Sequence, residues 1–240
     1  MKNPPSPLWI LILRSLLFLG FQALIALFFF LKGSPSAWID AAAWWMITVS
    51  LADLIGLIIL MRAFKLQGIR FWGIFLRDRM NTKRDLLFML AFLIVLGPVS
   101  FLPNILSAKW LFGDVQIGLD MLVQPLPLWG AVTGLIFFPV LQGLVEIPTY
   151  TLYALPSLEK QGMRPLLAVI VTSTFLSGQH IFVPFIPDWR FIVYRLVMFL
   201  PFAILVTIVM RWRPRLMPYM AIIHILMDLS AASLFFLGIS

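Results

Sequence analysis

Apolar residues occur along this chain in long runs, and the short polar stretches between them divide it into seven segments. Each run is close to or above the roughly 20 residues that a helix needs to cross a bilayer. Segments with the strict alternation of a membrane barrel strand are scarce. The pattern predicts an all-α fold, a polytopic transmembrane helical bundle of about seven spans, with eight as the alternative count. The expected spans are 8–31, 38–61, 85–107, 128–155, 165–184, 189–210 and 216–238.

Composition supports this interpretation and narrows the chemistry. Only 12% of the residues are charged, against about 25% in typical soluble domains. The chain has no cysteine, which excludes disulfides, thiolate metal sites and cysteine nucleophiles. The first apolar run is too long for a signal peptide and no small-residue cleavage site follows it, so we expect it to be retained. With no visible internal repeat, we expect a single membrane domain over residues 1–240.

The basic residues predict an orientation. The net charge is +8, and most of the Lys and Arg residues fall on one side of the membrane if the connection 62–84 is cytoplasmic. The positive-inside rule then places the N-terminus inside and explains the charge without nucleic acid, which we do not expect as a partner. Ile69, Trp72, Phe75 and Leu76 recur at helical spacing within that connection. This favours an interfacial helix on anionic lipid, with a solvated basic loop as the alternative. The connection 108–127 is expected to lie outside, dipping into the interface or resting on the surface.

Ionisable residues inside the predicted spans are the candidates for function. Each costs roughly 2.5–3.5 kcal/mol at a helix centre, so such residues usually face the interior. They are Arg14, Asp53, Glu146, His180, Arg195, His224 and Asp228. We expect Arg14 and Asp53 to form a structural ion pair. A rise of about 1.5 Å per residue puts Glu146, His180, His224 and Asp228 at a similar depth. We therefore expect these four side chains to share one buried polar site, although Asp228 pairing with Arg195 or Arg14 is an alternative.

The four side chains support two chemistries. A carboxylate and an imidazole can activate one water, while a second imidazole with a neighbour one turn on stabilises an oxyanion. The same groups, Glu146, His180, His224 and Asp228, could instead bind a divalent metal such as zinc. Two flanking residues favour a cavity at this level. Pro148 leaves a helical carbonyl without its partner, and Gly178 is expected to allow close helix approach beside His180.

Three motifs in the second half of the chain carry a family resemblance. They are "EIPTYTLYALPSL" from Glu146, "FLSGQH" ending at His180, and "PYMAIIHILMD" ending at Asp228. The region 128–238 resembles the CAAX-protease and bacteriocin-processing family of intramembrane proteases, also called the Abi family, and would form a protease-like core. Ile147 and Thr151 stand where the family pattern has a second glutamate and an arginine, and the "FLSGQH" spacing is one residue longer.

The resemblance implies an intramembrane endopeptidase of the bacterial inner (cytoplasmic) membrane. Its substrate would be a membrane-associated peptide or a lipidated protein. Glu146 and His180 would activate water, and His224 and Asp228 would stabilise the oxyanion, with or without a metal. The alternative is a catalytically impaired relative that acts as a membrane immunity or partner-binding protein. A proton-coupled transporter using Glu146 and Asp228 is a third, weaker hypothesis.

Overall fold

The computed structural model describes residues 4–77 and 80–237, and these residues form helices joined by short connections. The α-helices are α1 (Pro7–Leu31), α2 (Ala37–Ala42), α3 (Trp45–Leu66), α4 (Thr82–Phe112), α5 (Val115–Leu122), α6 (Leu128–Ile147), α7 (Leu155–Lys160), α8 (Pro165–Gly178), α9 (Trp189–Trp212) and α10 (Met217–Leu237). Short 3-10 turns cover Phe71–Phe75, Gln179–Phe182 and Pro214–Leu216, and a π-helical turn covers Pro148–Ala154.

Seven helical segments in the described part of the chain are long and apolar enough to cross a membrane. This confirms the predicted all-α polytopic bundle. The second predicted span is divided in the structure, because the short α2 ends at Ala42 before α3 begins at Trp45. The third is longer than predicted, since α4 runs from Thr82 to Phe112. Uninterrupted apolar sequence hides a break between two helices, and it also hides helical turns that continue beyond the apolar run.

The helix that carries Glu146 changes its winding immediately afterwards. Helix α6 ends at Ile147, and the chain continues as a π-helical turn over Pro148–Ala154. Within this region the hydroxyls of Thr149 and Thr151 donate to the carbonyls four residues earlier, at 2.6 and 2.8 Å. A proline removes a backbone donor, and a π turn accommodates the loss while the segment stays buried in protein. The predicted departure from regular helix after Glu146 is therefore present.

Helix α6 lies in the middle of the bundle, between α3 and α10. Its glycines permit close contact on both sides: a Cβ at Gly143 would press on Ile225 of α10, and one at Gly134 would lie 3.0 Å from the Cβ of Met46 on α3. A Cβ at Gly178 would meet no atom within 4 Å. The prediction that Gly178 allows close helix approach is wrong, because the tight interhelical contact is formed by α6 instead.

The connection 62–84 does not form one interfacial helix in its described residues. Helix α3 continues to Leu66, and the chain turns at Gly68, whose φ of 75° suits a glycine. A 3-10 turn follows, in which Phe71 is buried against Phe64 at a ring distance of 6.0 Å. The prediction also covers residues 78 and 79, which lie outside the described residues.

The connection 108–127 contains a short helix that packs on the end of the bundle. Helix α4 ends at Phe112, with Gly113 as its C-cap. Helix α5 follows from Val115 to Leu122, and its N-cap Asp114 accepts a hydrogen bond from the backbone N–H of Gln116 at 2.9 Å. The indole of Trp45 donates to the carbonyl of Leu122 at 2.9 Å. Leu119 and Leu122 of α5 line a cavity among the spans.

Candidate functional site

The structure brings the four ionisable side chains expected at one depth into a single cavity of about 250 Å³. Glu146 projects from the last turn of α6, His180 from the 3-10 turn after α8, and His224 and Asp228 from α10. His224 Nε2 lies 3.3 Å from Glu146 Oε1 and 3.4 Å from Asp228 Oδ2. His180 Nε2 lies 3.8 Å from Glu146 Oε2. The carboxylate of Glu146 is therefore the centre of the site, with one imidazole beside each of its oxygens.

Local structure fixes the ring of His180 and places His224 beside Asp228. The Nδ1 atom of His180 lies 3.0 Å from the carbonyl oxygen of Leu176, which directs Nε2 toward Glu146. The ring of His180 stacks on Phe199 at a centroid distance of 3.7 Å. His224 and Asp228 are one helical turn apart, so they present their side chains to the same cavity.

Several polar atoms of this site have no hydrogen-bond partner in the described part of the chain. They include Glu146 Oε1, both ring nitrogens of His224, and Asp228 Oδ2. His224 Nε2 is within ion-pair distance of both carboxylates, but the atoms are not aligned for hydrogen bonds. Buried polar atoms normally find a partner, so unpaired ones around a cavity indicate a place for water or a polar ligand.

Arg14 of α1 connects the site to the first half of the chain. Its Nη1 lies 2.9 Å from Asp53 Oδ1, which places the predicted Arg14–Asp53 ion pair in the structure. The same guanidinium donates to the side-chain oxygens of Gln142 and Gln179, both at 2.8 Å, and its Nη2 lies 3.7 Å from Glu146 Oε2. The Arg14–Asp53 ion pair is thus part of the site, although the sequence does not indicate that this pair lies beside Glu146.

Gln142 and Gln179 are site residues that the sequence pattern does not single out. The amide of Gln142 donates to Glu146 Oε2, and the hydroxyl of Tyr150 donates to Gln179 Oε1 at 3.0 Å. Both glutamines are neutral, so a search for charged residues in spans passes over them. A signal was available in the spacing, because Gln142 precedes Glu146 by four residues and lies on the same helix face.

Arg195 of α9 also lines the cavity. Its Nε donates to the carbonyl of His180 at 3.1 Å, and its Nη2 donates to the carbonyl of Val183 at 2.5 Å. Among the described residues, the carboxylate of Asp228 lies within ion-pair distance of His224 and of neither Arg195 nor Arg14. The alternative prediction, that Asp228 pairs with Arg195 or Arg14, is therefore wrong.

A metal fits these side chains poorly. No group of three or more His, Asp or Glu side chains within residues 4–77 and 80–237 has an arrangement that could hold a metal ion. Glu146 Oε2 also receives the amide N–H of Gln142 and lies near the guanidinium of Arg14, a positive charge that repels a cation. The expectation that Glu146, His180, His224 and Asp228 bind zinc is thus not supported by the geometry.

The two residues that differ from the family pattern, Ile147 and Thr151, do not line the cavity. Ile147 is fully buried in an apolar cluster that includes Phe202 and Met217. Thr151 is buried as well, and its hydroxyl is bonded to the carbonyl of Ile147. This side of the α6 segment is therefore packed with neutral groups, whereas the charges near Glu146 come from other helices.

The fold and the site together define an α-helical integral membrane protein with a polar cavity buried among its spans. No protein-family model matches the chain, and neither curated proteins nor solved structures give a match. The family resemblance therefore remains a prediction from the three motifs.

Proposed function

We propose that this protein is an intramembrane endopeptidase that hydrolyses a peptide bond with water activated by Glu146 and His180. The observation that supports the proposal best is the set of unpaired atoms on Glu146, His224 and Asp228 around one buried cavity. Such atoms are costly unless something polar binds them. A carboxylate between two imidazoles is an arrangement suited to acid–base chemistry on a bound carbonyl.

The proposed reaction assigns one task to each side chain. The gap of 3.8 Å between His180 Nε2 and Glu146 Oε2 is too long for a direct hydrogen bond and lets a water bond to both atoms. Glu146 takes a proton from this water while the water oxygen attacks the carbon of the peptide carbonyl. Glu146 then returns the proton to the amine that leaves when the C–N bond breaks. Protonated His224 donates to the oxyanion, and Asp228 stabilises the positive charge on His224 from 3.4 Å.

The surroundings suggest a hydrophobic substrate. The cavity is lined largely by aromatic and aliphatic side chains, including Phe18, Phe138 and Leu234. We propose a membrane-associated peptide or a lipid-anchored protein as the substrate, in the bacterial inner membrane, with the N-terminus in the cytoplasm. Anionic lipid at the basic connection 62–84 would hold this orientation.

A partner-binding protein without catalysis is the second candidate, and one observation favours it. Glu146 Oε2 already accepts from Gln142 and lies close to Arg14, so one of the two carboxylate oxygens is engaged. In that case the cavity would bind a membrane peptide without cleaving it, as an immunity protein would.

The deciding experiment measures peptide cleavage by the protein in proteoliposomes. Internally quenched apolar peptides serve as substrates, and the variants are Glu146→Gln and His180→Ala. We expect each variant to lose about 10²–10⁴-fold in rate, which is the usual contribution of a positioned general base. The chain offers a matched control in Glu159→Gln, since Glu159 is the second glutamate of the chain and is paired with Arg211 on the surface.

Full activity in the folded Glu146→Gln protein would refute the endopeptidase. If the wild-type protein cleaves no peptide but binds peptides equally well with Glu146→Gln, the partner-binding candidate is favoured. Tryptophan fluorescence reports folding in each variant, because the chain contains nine tryptophans.

A further inference from the structure

Arg195 is a buried cation for which the described residues supply no counter-ion. The residue is 5% exposed and lies in the membrane-spanning helix α9. Arg14, the second buried arginine among the described residues, has Asp53 at 2.9 Å. Arg195 has no carboxylate within ion-pair distance anywhere in the part of the chain that the structure describes. A buried charge without a partner is expensive, and in a membrane protein it commonly marks a functional site.

The neighbours of Arg195 leave part of its guanidinium available. Two of its five N–H groups donate to the carbonyl oxygens of His180 and Val183. Its Nη1 has only the thioether sulfur of Met198, at 3.6 Å, which is a weak acceptor. The guanidinium also lies over the ring of Phe199, 4.9 Å from its centroid. These contacts hold the side chain in place without neutralising its charge.

Arg195 borders the cavity that contains the candidate site. Arg195, His180 and Phe199 line the same cavity as Glu146. The backbone of His180 contacts Arg195, while its ring faces Glu146. Glu146 and Asp228 have Arg14 and His224 beside them, whereas no carboxylate of the described residues lies within ion-pair distance of Arg195, so a negative group in the cavity is attracted to Arg195. The charge distribution therefore orients an elongated ligand, with its negative end at Arg195.

We propose that Arg195 is an anion-binding subsite that takes a carboxylate carried on an apolar chain. A guanidinium with free N–H groups can bind a carboxylate with two parallel hydrogen bonds. The rest of the ligand should be apolar, because the cavity walls are largely aromatic and aliphatic. A hydrophobic peptide and a fatty acid share this chemistry, and the form of the proposal that uses a peptide rests on the proposed function.

The experiment compares acids with matched neutral ligands. One arm uses an acetylated apolar tetrapeptide with a free C-terminal carboxylate and its C-terminal carboxamide. The other arm uses decanoate and decanol. Binding to the protein in detergent is followed by tryptophan fluorescence, because Trp45 lines the cavity. We expect the acid of at least one arm to bind roughly 10–100-fold more tightly than its neutral counterpart, which is the range for a charged hydrogen bond.

Variants of Arg195 test whether this residue causes the preference for the acid. In Arg195→Gln the acid and the neutral ligand should bind within about twofold of each other, because the charged hydrogen bond is gone. Arg190→Gln is the matched control, since Arg190 lies in the same helix but is exposed and paired with Asp188. It should keep the full preference. If Arg195→Gln does not fold, Arg195→Lys replaces it, and its preference should fall clearly below that of the wild type because lysine lacks the planar fork.

Equal binding of acid and neutral ligand to the wild type in both arms would overturn the proposal. So would an unchanged preference in folded Arg195→Gln or, in its place, in Arg195→Lys. A preference seen only with decanoate identifies a fatty-acid ligand, and one seen only with the peptide identifies a peptide ligand. Cleavage is scored separately: if no peptide is hydrolysed but the acid preference persists, the endopeptidase fails and the subsite stands.

Discussion

Removal of Arg14 should destabilise the protein more than any exposed arginine does. Asp53 is fully buried, and Arg14 lies 2.9 Å from it. Breaking a buried ion pair by deleting one partner costs about 3–5 kcal/mol, because the other charge is left without compensation. Arg14→Met also takes charged donors from the side-chain oxygens of Gln142 and Gln179. We therefore expect the free energy of unfolding to fall by at least about 3 kcal/mol.

A double-mutant cycle separates the ion pair from the rest of the network. Asp53→Leu in the Arg14→Met background removes the stranded carboxylate, so the double variant should recover part of the loss. Recovery should be incomplete, because the oxygens of Gln142 and Gln179 still lack their donor. We expect a coupling energy of about 1–3 kcal/mol between the two positions. Unfolding is measured by SDS titration in mixed micelles, with far-UV circular dichroism and tryptophan fluorescence as two probes.

The matched control is the surface pair Arg211–Glu159. Its atoms are closer than those of the buried pair, at 2.6 Å, but its side chains are 41% and 28% exposed. Exposed pairs contribute about 0–1 kcal/mol, so Arg211→Met should cost little. The reasoning is refuted if Arg14→Met and Arg211→Met cost the same, or if the cycle shows no coupling between Arg14 and Asp53.

Two further predictions test the packing and the ends of the helices by the same titration. Gly143→Ala should lower the free energy of unfolding by about 1–3 kcal/mol, because the new Cβ would press on Ile225. The control is Gly20→Ala, which should lower it by nothing because no atom lies within 4 Å of that Cβ. Equal losses in the two variants would contradict the prediction. Asp188→Ala should cost about 1 kcal/mol, because this carboxylate caps α9. The side-chain hydrogen bond from Arg190 holds the pKa of Asp188 below its usual value, so the ionised cap stabilises the wild type above the pKa of an unfolded aspartate. This advantage over Asp188→Ala should vanish as the pH falls through the folded-state pKa, and a pH-independent difference would contradict it.

The spans and the depth of the candidate site follow from the sequence for simple reasons. Crossing a bilayer requires a long apolar run, so run length alone locates a span. The regular rise of a helix then converts sequence position into depth, which is why Glu146, His180 and His224 could be placed at one level. Neither argument depends on how the helices are arranged around one another.

The network around Arg14 could not be found in this way. Its contacts to Gln142 and Gln179 depend on how α1 is rotated against α6 and the 3-10 turn that follows α8, and side-chain packing sets that rotation. The close contact of α6 with α10 could not be predicted from the sequence for the same reason. Gly178 and Gly143 look alike in the sequence, but only Gly143 faces a neighbouring helix at short distance.

The positive charge near Glu146 does not come from the position at which the resembled pattern has an arginine. The pattern that the chain resembles has an arginine five residues after this glutamate, where the chain has Thr151. Here a guanidinium reaches Glu146 from α1 instead, at 3.7 Å, and is itself balanced by Asp53 of α3. A carboxylate responds to a nearby charge whatever part of the chain supplies it, so Glu146 has a cation beside it although position 151 is a threonine. The region 128–238 alone would lack both Arg14 and Asp53, so the electrostatics of the candidate site belong to the whole bundle.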